Sequence, residues 1–229
     1  DRSLYTCDLQ GVERCVASEE SPDVTWGIAE FVAAEEMNRQ RGFWWAPDSS
    51  ALAVERADNS PIQSILIADP AQPTSKPSSR RYPFAGTANA LVSLHLVAIN
   101  GTRIAVTWDS LAFEYLTSVQ WNMHGLVISV MSRDQRILDI RAVDISSGQT
   151  NSLHTEHDEC WVELVVGGPS LLEKDLLMWC GERNGVRAIV VNNDVITPDH
   201  LQVRSIVRAS HDDIIFSANN VQRPQELHV

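Results

Sequence analysis

The sequence predicts an all-β fold in which short antiparallel strands form repeated meanders. Helix is scarce, with one good candidate near residues 28–38. One pattern recurs, in which an alternating apolar strand runs into a polar turn and a second alternating strand follows. The copies lie at 52–69, 126–144, 176–194 and 214–229. Repeated meanders of about 40 to 50 residues are typical of β-propeller blades, so the sequence predicts a propeller of about four blades.

The turns of the first three copies match one another, with Arg56, Arg133 and Arg183 at corresponding positions. The spacing is irregular because the Pro- and Ser-rich loop 72–90 and the strands at 91–108 separate the first two copies. An antiparallel β-sandwich with accidental likeness between its turns is the alternative. Four copies of one turn-flanked strand pair favour the propeller.

Shorter features fit the same fold. The opening stretch 4–11 matches the second half of the repeat, and turn sequences at 144–150 and 191–197 continue the meander. We interpret SLLEKDLL, at 170–177, as a brief helical turn or loop. The prediction is a single partial propeller domain over 1–229. Its residues 1–20 end one blade, and further blade segments lie at 40–75, 90–150, 155–200 and 203–229.

Composition limits the classes of partner. The 229 residues are 44% apolar and 21% charged, as in an ordinary globular protein. Lys and Arg total 18 against 30 Asp and Glu, which gives a net charge of −12. This charge argues against a nucleic-acid partner, which needs a basic surface. No apolar run approaches the ~20 residues of a membrane span, and no signal peptide is recognisable, so we expect no membrane span.

The four cysteines show no Cys-x-x-Cys spacing. Cys7 and Cys15 lie on the two arms of a predicted hairpin and could form a disulfide in an oxidising compartment. Four cysteines in a chain of this length favour reduced thiols instead, including Cys160 and Cys180. We expect a cytoplasmic protein on this basis.

The helix candidate carries two adjacent carboxylates. In a helix over 28–37, Ile28 and Phe31 lie on one apolar face, and at about 100° per residue Glu35 falls in the middle of it. Glu36 falls at the edge of the same face. A carboxylate on an apolar face is costly unless a cation meets it.

Two cations are candidates for this pair. A primary ammonium group has three donors, and in a shielded site each charge-assisted hydrogen bond to Glu35 or Glu36 contributes about 1.5–3 kcal/mol. The alternative is an exposed i, i+4 pair between Glu35 and Arg39, worth only about 0.3–0.5 kcal/mol. The residues alone leave both interpretations open.

A second acidic segment contains potential metal ligands. His154, His157 and Cys160, with Asp158 or Glu159, are residue types that bind zinc. They lack the two-part spacing of known zinc sites, and the segment follows a strand. A solvated surface loop is therefore the preferred interpretation, and we expect no metal and no cofactor.

Nucleophilic catalysis has no sequence motif in this chain. No Gly-x-Ser-x-Gly elbow occurs, and the nearest approach is GPSLL at 168–172. The glycines form no phosphate-binding loop. We expect no catalytic residue within these 229 residues.

Five tryptophans lie at strand-like positions near blade starts. We expect them to fill the core between sheets, with an aromatic ligand platform as the alternative. They are Trp44, Trp45, Trp121, Trp161 and Trp179.

Two stretches resemble one known family. Residues 26–58, WGIAEFVAAEEMNRQRGFWWAPDSSALAVERAD, and 81–97, RYPFAGTANALVSLHLV, are similar to the propeller segment of dipeptidyl peptidase IV-type enzymes of the prolyl oligopeptidase clan. The most specific parts are the Glu-Glu helix and the Arg-Tyr-Pro-x-Ala-Gly-x-x-Asn stretch. The likeness continues through the later repeats over nearly the whole chain.

This resemblance implies part of a serine-type dipeptidyl peptidase, which releases dipeptides from peptide N-termini. In that family an eight-bladed propeller caps an α/β-hydrolase domain, and a double Glu binds the free α-amino group of the substrate. By resemblance, Glu35 and Glu36 take this role and the propeller gates substrate access. The implied partners are a peptide with a free N-terminus and a C-terminal α/β-hydrolase domain.

The resemblance also defines what we expect to lie outside this chain. We expect the catalytic residues of the family to lie outside it: the nucleophile motif and its Asp and His. We expect the same of the earlier blades, which contribute an Arg to the site in that family. We therefore expect a partial propeller that is inactive without a hydrolase domain. An open ring exposes a blade face, so we also expect a homo-oligomer. A non-catalytic propeller that serves as a protein-interaction platform is the alternative function.

Overall fold

A computed structural model describes residues 2–229, and the part described consists of antiparallel sheets and one short helix. A hairpin of β1 (Leu4–Cys7) and β2 (Glu13–Ala17) comes first. A five-stranded sheet follows, built from β3 (Val24–Trp26), β4 (Phe43–Trp45), β5 (Ala51–Asp58), β8 (Leu91–Ala98) and β9 (Arg103–Val106). The helix α1 (Phe31–Glu36) lies between β3 and β4. A separate hairpin, β6 (Ser64–Ile67) with β7 (Ser78–Arg81), extends from the same sheet.

Three further sheets follow in chain order. The first contains β10 (Tyr115–Asn122), β11 (Gly125–Met131), β12 (Ile137–Val143) and β13 (Thr150–His157). The second contains β14 (Ser170–Glu173), β15 (Leu176–Arg183), β16 (Val186–Val191) and β17 (Asp194–Val195). The third contains β18 (Leu201–Ala209), β19 (Ile214–Asn220) and β20 (Arg223–His228). Each is a meander whose hydrogen-bonded neighbours are consecutive in sequence.

Successive sheets pack face to face. Leu94 of β8 and Ile128 of β11 belong to one buried cluster, which joins the five-stranded sheet to the next. Val127 and Trp179 belong to a second cluster, one sheet further on, and Met178 and Val203 to a third. Meanders stacked in chain order are the arrangement of propeller blades, so the all-β propeller prediction is confirmed.

The first predicted repeat has the wrong pairing. The two strands expected to form a hairpin over 52–69 exist, as β5 and β6, but β6 pairs with β7. Both edges of β5 are occupied, since Leu52 lies opposite Trp45 on one side and Val97 on the other. The later pairs β11–β12, β15–β16 and β19–β20 form as predicted. The predicted blade segment 90–150 contains strands of two sheets, because β8 and β9 belong to the five-stranded sheet and β10 to β12 to the next. The assignment of residues 1–229 to a single domain stays a prediction.

The segment 170–177 is a strand hairpin, so the predicted helical turn or loop is wrong. Leu171 packs with the sheet before it and Leu172 with the sheet after it. Neighbouring side chains therefore point to opposite faces of the sheet, which only an extended strand allows.

The two cysteines of the first hairpin do not face each other. Cys7 lies opposite Glu13, and Cys15 lies opposite Tyr5. All four thiols are free. Because Cys7 and Cys15 are two residues out of register, they do not form the disulfide that the sequence allowed.

The tryptophan prediction is only partly confirmed. Trp179 is buried, and Trp44 and Trp121 pack half-buried against the cluster that contains Leu94. Trp45 and Trp161 are 44% and 59% exposed. Trp161 follows β13 in a loop, where its indole N–H donates to the Glu163 carboxylate at 3.3 Å.

Within residues 2–229, no helix has the length and apolar character needed to cross a bilayer.

Candidate functional site

The helix lies on an insertion that begins and ends at one residue of β5. Trp26, the last residue of β3, pairs with Arg56, and Phe43, the first residue of β4, pairs with Val54. Glu55 lies between these two pairs. Its carbonyl accepts from the Gly27 N–H at 2.9 Å, and its own N–H donates to the Gly42 carbonyl at 2.8 Å. Residues 27–42 therefore leave the edge of the sheet as one loop.

A short stalk supports this loop. The Ala29 N–H donates to the Gln40 carbonyl at 3.2 Å, and the Gly42 N–H donates to the Gly27 carbonyl at 3.1 Å. The two chains approach so closely that a Cβ on Gly42 would lie 2.7 Å from the Ile28 nitrogen. Only glycine fits at this point, and the contact holds the two ends of the insertion 27–42 together.

The helix is shorter than the predicted 28–37 segment. Glu30 is its N-cap, with extended backbone at φ −71° and ψ 172°. The Glu30 carboxylate accepts from the Val32 N–H at 2.6 Å and the Ala33 N–H at 2.7 Å. Because these donors are satisfied by a side chain, the helix begins at Phe31.

Glu35 and Glu36 are both exposed, and so are the residues of the apolar face on which the sequence places Glu35. The helix buries Ala33, whereas Phe31 is 40% exposed and Ile28, outside the helix, is 49% exposed. Within residues 2–229, neither glutamate side chain takes part in a hydrogen bond or ion pair. The carboxylates are adjacent and free to accept.

The alternative pairing of Glu35 with Arg39 is wrong. Asn38 has a left-handed backbone at φ 51°, and the helix has already ended at Glu36. Arg39 therefore lacks the i, i+4 geometry and instead forms an ion pair with Glu55 at 2.5 Å.

A groove of about 330 Å³ adjoins the helix. Glu36 lines it, together with Thr117–Gln120 of β10, the loop 165–169 before β14, and Trp179 of β15. Its walls thus come from three successive sheets. An unpaired carboxylate at the rim of a partly apolar groove can bind a cationic group whose attached chain lies in the groove.

The segment 154–160, which contains residue types that bind zinc, makes other contacts in the structure. His154 and His157 lie in β13, which corrects the loop interpretation for that half of the segment. The His154 Nε2 lies 2.9 Å from Glu156, and the Asp158 carboxylate accepts from the Cys160 and Trp161 N–H groups at 2.7 and 3.0 Å. In the described part of the chain, no three His, Cys, Asp or Glu side chains are arranged to hold a metal ion.

Glu156 gives a testable pH dependence. Burial raises its pKa, but hydrogen bonds from His154 and Arg183 and the Arg183 charge outweigh burial and lower the pKa from 4.5 to about 2. A depressed folded-state pKa stabilises the fold fully above the unfolded value and progressively less as pH falls towards the folded value. We expect the free energy of unfolding to decrease between about pH 5 and pH 2, with this carboxylate contributing at most about 3 kcal/mol.

Urea unfolding at a series of pH values measures this effect. Glu156→Gln should be less stable at neutral pH and should lose less stability in that interval. Glu13→Gln, at an exposed glutamate, should follow the wild-type curve. Parallel curves for wild type and Glu156→Gln would contradict the assignment.

Glu30 and Glu55 are residues of this site that sequence reasoning missed. Glu30 is 7% exposed and Glu55 is 0% exposed. A signal was present for Glu55, because it interrupts the apolar strand ALAVERAD, where a charge requires a buried partner. Burial raises the pKa of Glu55, and the charge and hydrogen bond of Arg39 oppose that shift.

The chain matches one family model over its full length. The model is described as "Dipeptidyl peptidase IV (DPP IV) N-terminal region" and covers residues 1–229. Dipeptidyl peptidase 8 of Mus musculus and that of Homo sapiens are each 33% identical over 82 residues, which is 32% of this chain and 9% of those proteins. A Schizosaccharomyces pombe protein named as a dipeptidyl aminopeptidase is 23% identical over 213 residues, or 85% of this chain and 26% of that protein.

Solved structures show the same fold. The dipeptidyl peptidase 4 of Porphyromonas gingivalis aligns with a TM-score of 0.78 at 17% identity, over 95% of this chain and 33% of that one. A Bacteroides ovatus structure titled as a dipeptidyl aminopeptidase IV aligns with a TM-score of 0.76 at 17% identity, over 96% of this chain and 37% of that one. The chain therefore spans about a third of each solved relative and matches it in fold.

Proposed function

The chain belongs to the dipeptidyl peptidase IV N-terminal region family, and on that premise we propose that Glu35 and Glu36 bind the free α-ammonium group of a peptide substrate. The observation that carries the proposal is the pair of adjacent, exposed carboxylates without a protein partner in the described chain, of which Glu36 lines the groove. The family's dipeptidyl peptidases imply an α/β-hydrolase domain in the same protein. This region then gates access and measures the distance from the peptide N-terminus.

The chemistry follows from the donors of the ligand. An α-ammonium group presents three N–H donors and one positive charge, which two carboxylates satisfy better than one. Anchoring the N-terminus places one peptide bond at a set distance from Glu35 and Glu36, and positioning of this kind lowers the entropic part of the barrier. The hydrolase domain supplies the nucleophile, the base and the oxyanion hole.

Kinetics of the natural full-length protein test the proposal. Glu35→Gln and Glu36→Gln should each lower kcat/KM for a chromogenic dipeptide amide by roughly tenfold to a hundredfold, since one charge-assisted hydrogen bond contributes about 1.5–3 kcal/mol. An N-acetylated substrate has no ammonium group and should be a poor substrate of the wild type.

Glu20→Gln is the matched control, because Glu20 is exposed and lies outside the insertion. Its kcat/KM should equal that of the wild type. Unchanged kinetics in both Glu35→Gln and Glu36→Gln would overturn the proposal. A full-length protein that binds such peptides with micromolar affinity but releases no dipeptide would support the alternative of an interaction platform.

A further inference from the structure

We propose that Glu55 and Arg39 are positioning residues that set the location of Glu35 and Glu36, because one buried carboxylate holds both ends of the short helix. This inference rests on the proposed function of the Glu35–Glu36 pair. It concerns two side chains that are 10% exposed or less and that hold the backbone of the insertion. Arg39 also lines the groove, beside Glu36.

Glu55 contacts the segment before the helix and the segment after it. Its Oε1 accepts from the backbone N–H of Glu30 at 3.1 Å, and its Oε2 accepts from Nη1 of Arg39 at 2.5 Å. Glu30 in turn caps the first turn through its own carboxylate. The backbone N–H of Arg39 donates to the Ala33 carbonyl at 3.1 Å. The six-residue helix is therefore tied at its beginning and at its end to one carboxylate of β5.

Arg39 extends this connection to the next sheet. Its Nη2 donates to the Leu116 carbonyl of β10 at 2.8 Å, and its Nη1 also donates to the Arg41 carbonyl at 3.2 Å. Leu116 directly precedes the β10 residues that line the groove. The guanidinium group thus links the helix, the stalk of the insertion and the groove wall.

The energetics favour a geometric role for this pair. The Arg39 side chain is 10% exposed and that of Glu55 is 0% exposed. Replacing a buried ion pair by apolar side chains of similar volume is often neutral for stability, whereas removing one partner is strongly destabilising. A helix of six residues is too short to be stable alone, so its position depends on such tertiary contacts. The Arg39–Glu55 ion pair is therefore best explained as a means of fixing the position of the helix.

The decisive variant is Arg39→Met combined with Glu55→Leu in the natural full-length protein. We expect a fold that melts within about 3 °C of the wild type, and kcat/KM for a dipeptide amide at least about tenfold lower. Hydrogen exchange of residues 27–42 should be faster than in the wild type. The rate of labelling by a fluorophosphonate, which reacts with an active serine and needs no ammonium anchor, should stay within twofold.

Arg56→Met with Glu19→Leu is the matched control. Arg56 follows Glu55 in β5 and points to the other face, where both of its bonds to Glu19 are 2.7 Å long. This double variant also removes an ion pair, but it should leave kcat/KM and exchange of residues 27–42 unchanged.

Three outcomes separate the two proposals. Lower kcat/KM and faster exchange in the Arg39–Glu55 variant, with reduced activity in Glu35→Gln, support the positioning role. Wild-type kcat/KM or wild-type exchange in the Arg39–Glu55 variant would overturn it while leaving the ammonium site intact. Wild-type activity in Glu35→Gln and Glu36→Gln would overturn the ammonium site and, with it, the reason for positioning.

Discussion

Replacing Leu94 by Ala is expected to lower the free energy of unfolding by about 2–5 kcal/mol. Leu94 is 0% exposed and belongs to the cluster that joins the five-stranded sheet to the sheet β10–β13. Leu116 and Ile128 of the second sheet are in the same cluster. Truncation removes the transfer free energy of the lost methyl groups and leaves a cavity between two sheets that relax only partly.

Urea unfolding followed by tryptophan fluorescence measures this loss. Leu111→Ala is the matched control, because the same side chain is 92% exposed at that position. Its effect should be within about 0.5 kcal/mol of zero. Equal losses for the two variants would mean that contacts between these sheets contribute little to stability.

Replacing Gly167 by Ala is expected to cost about 3 kcal/mol or more. Gly167 has φ +90°, and a Cβ there would lie 2.1 Å from the carbonyl oxygen of Ile206. The neighbouring residue Val166 accepts a hydrogen bond from the Ile206 N–H at 2.8 Å, so this loop is joined directly to β18. The added methyl group forces the two backbones apart and breaks the link between successive sheets.

Gly86→Ala separates backbone strain from this close contact. Gly86 also has a positive φ, +80°, but no atom lies within 4 Å of its Cβ position. Its cost should be about 1–2 kcal/mol, from the left-handed conformation alone. Losses of the same size at Gly86 and Gly167 would show that the close contact with the Ile206 carbonyl does not add to the stability loss at Gly167.

Local sequence patterns predicted most of the strands and singled out the adjacent Glu35 and Glu36, but they missed the buried Glu30 and Glu55. Alternating apolar residues beside Arg-Asp-Gln and Arg-Asn-Gly turns predicted the hairpins β11–β12 and β15–β16, and both form. The adjacent Glu35 and Glu36 marked the insertion as unusual. Both inferences use information within a few residues, where turn chemistry and periodicity act.

Partner choice over longer distances was not predictable in the same way. The pattern of β5 allows pairing with any strand that alternates, and only the folded chain places β8 beside it and β6 in a separate hairpin. The helix likewise has a local pattern that places Glu35 on its apolar face. In the folded chain the Glu30 cap starts the helix at Phe31, and the helix buries Ala33 while Phe31 and Glu35 are exposed.

The sequence by itself determined the all-β repeat, the hairpin turns and the identity of the two carboxylates, because these depend on neighbours along the chain. Only the tertiary structure decided which charges are buried and which are free. Arg39 pairs with Glu55, 16 residues away, and also contacts Leu116, 77 residues away. The contact with Leu116 exists only once two sheets have packed together. With Arg39 held by Glu55 and Leu116, Glu35 and Glu36 have no protein partner in the described chain.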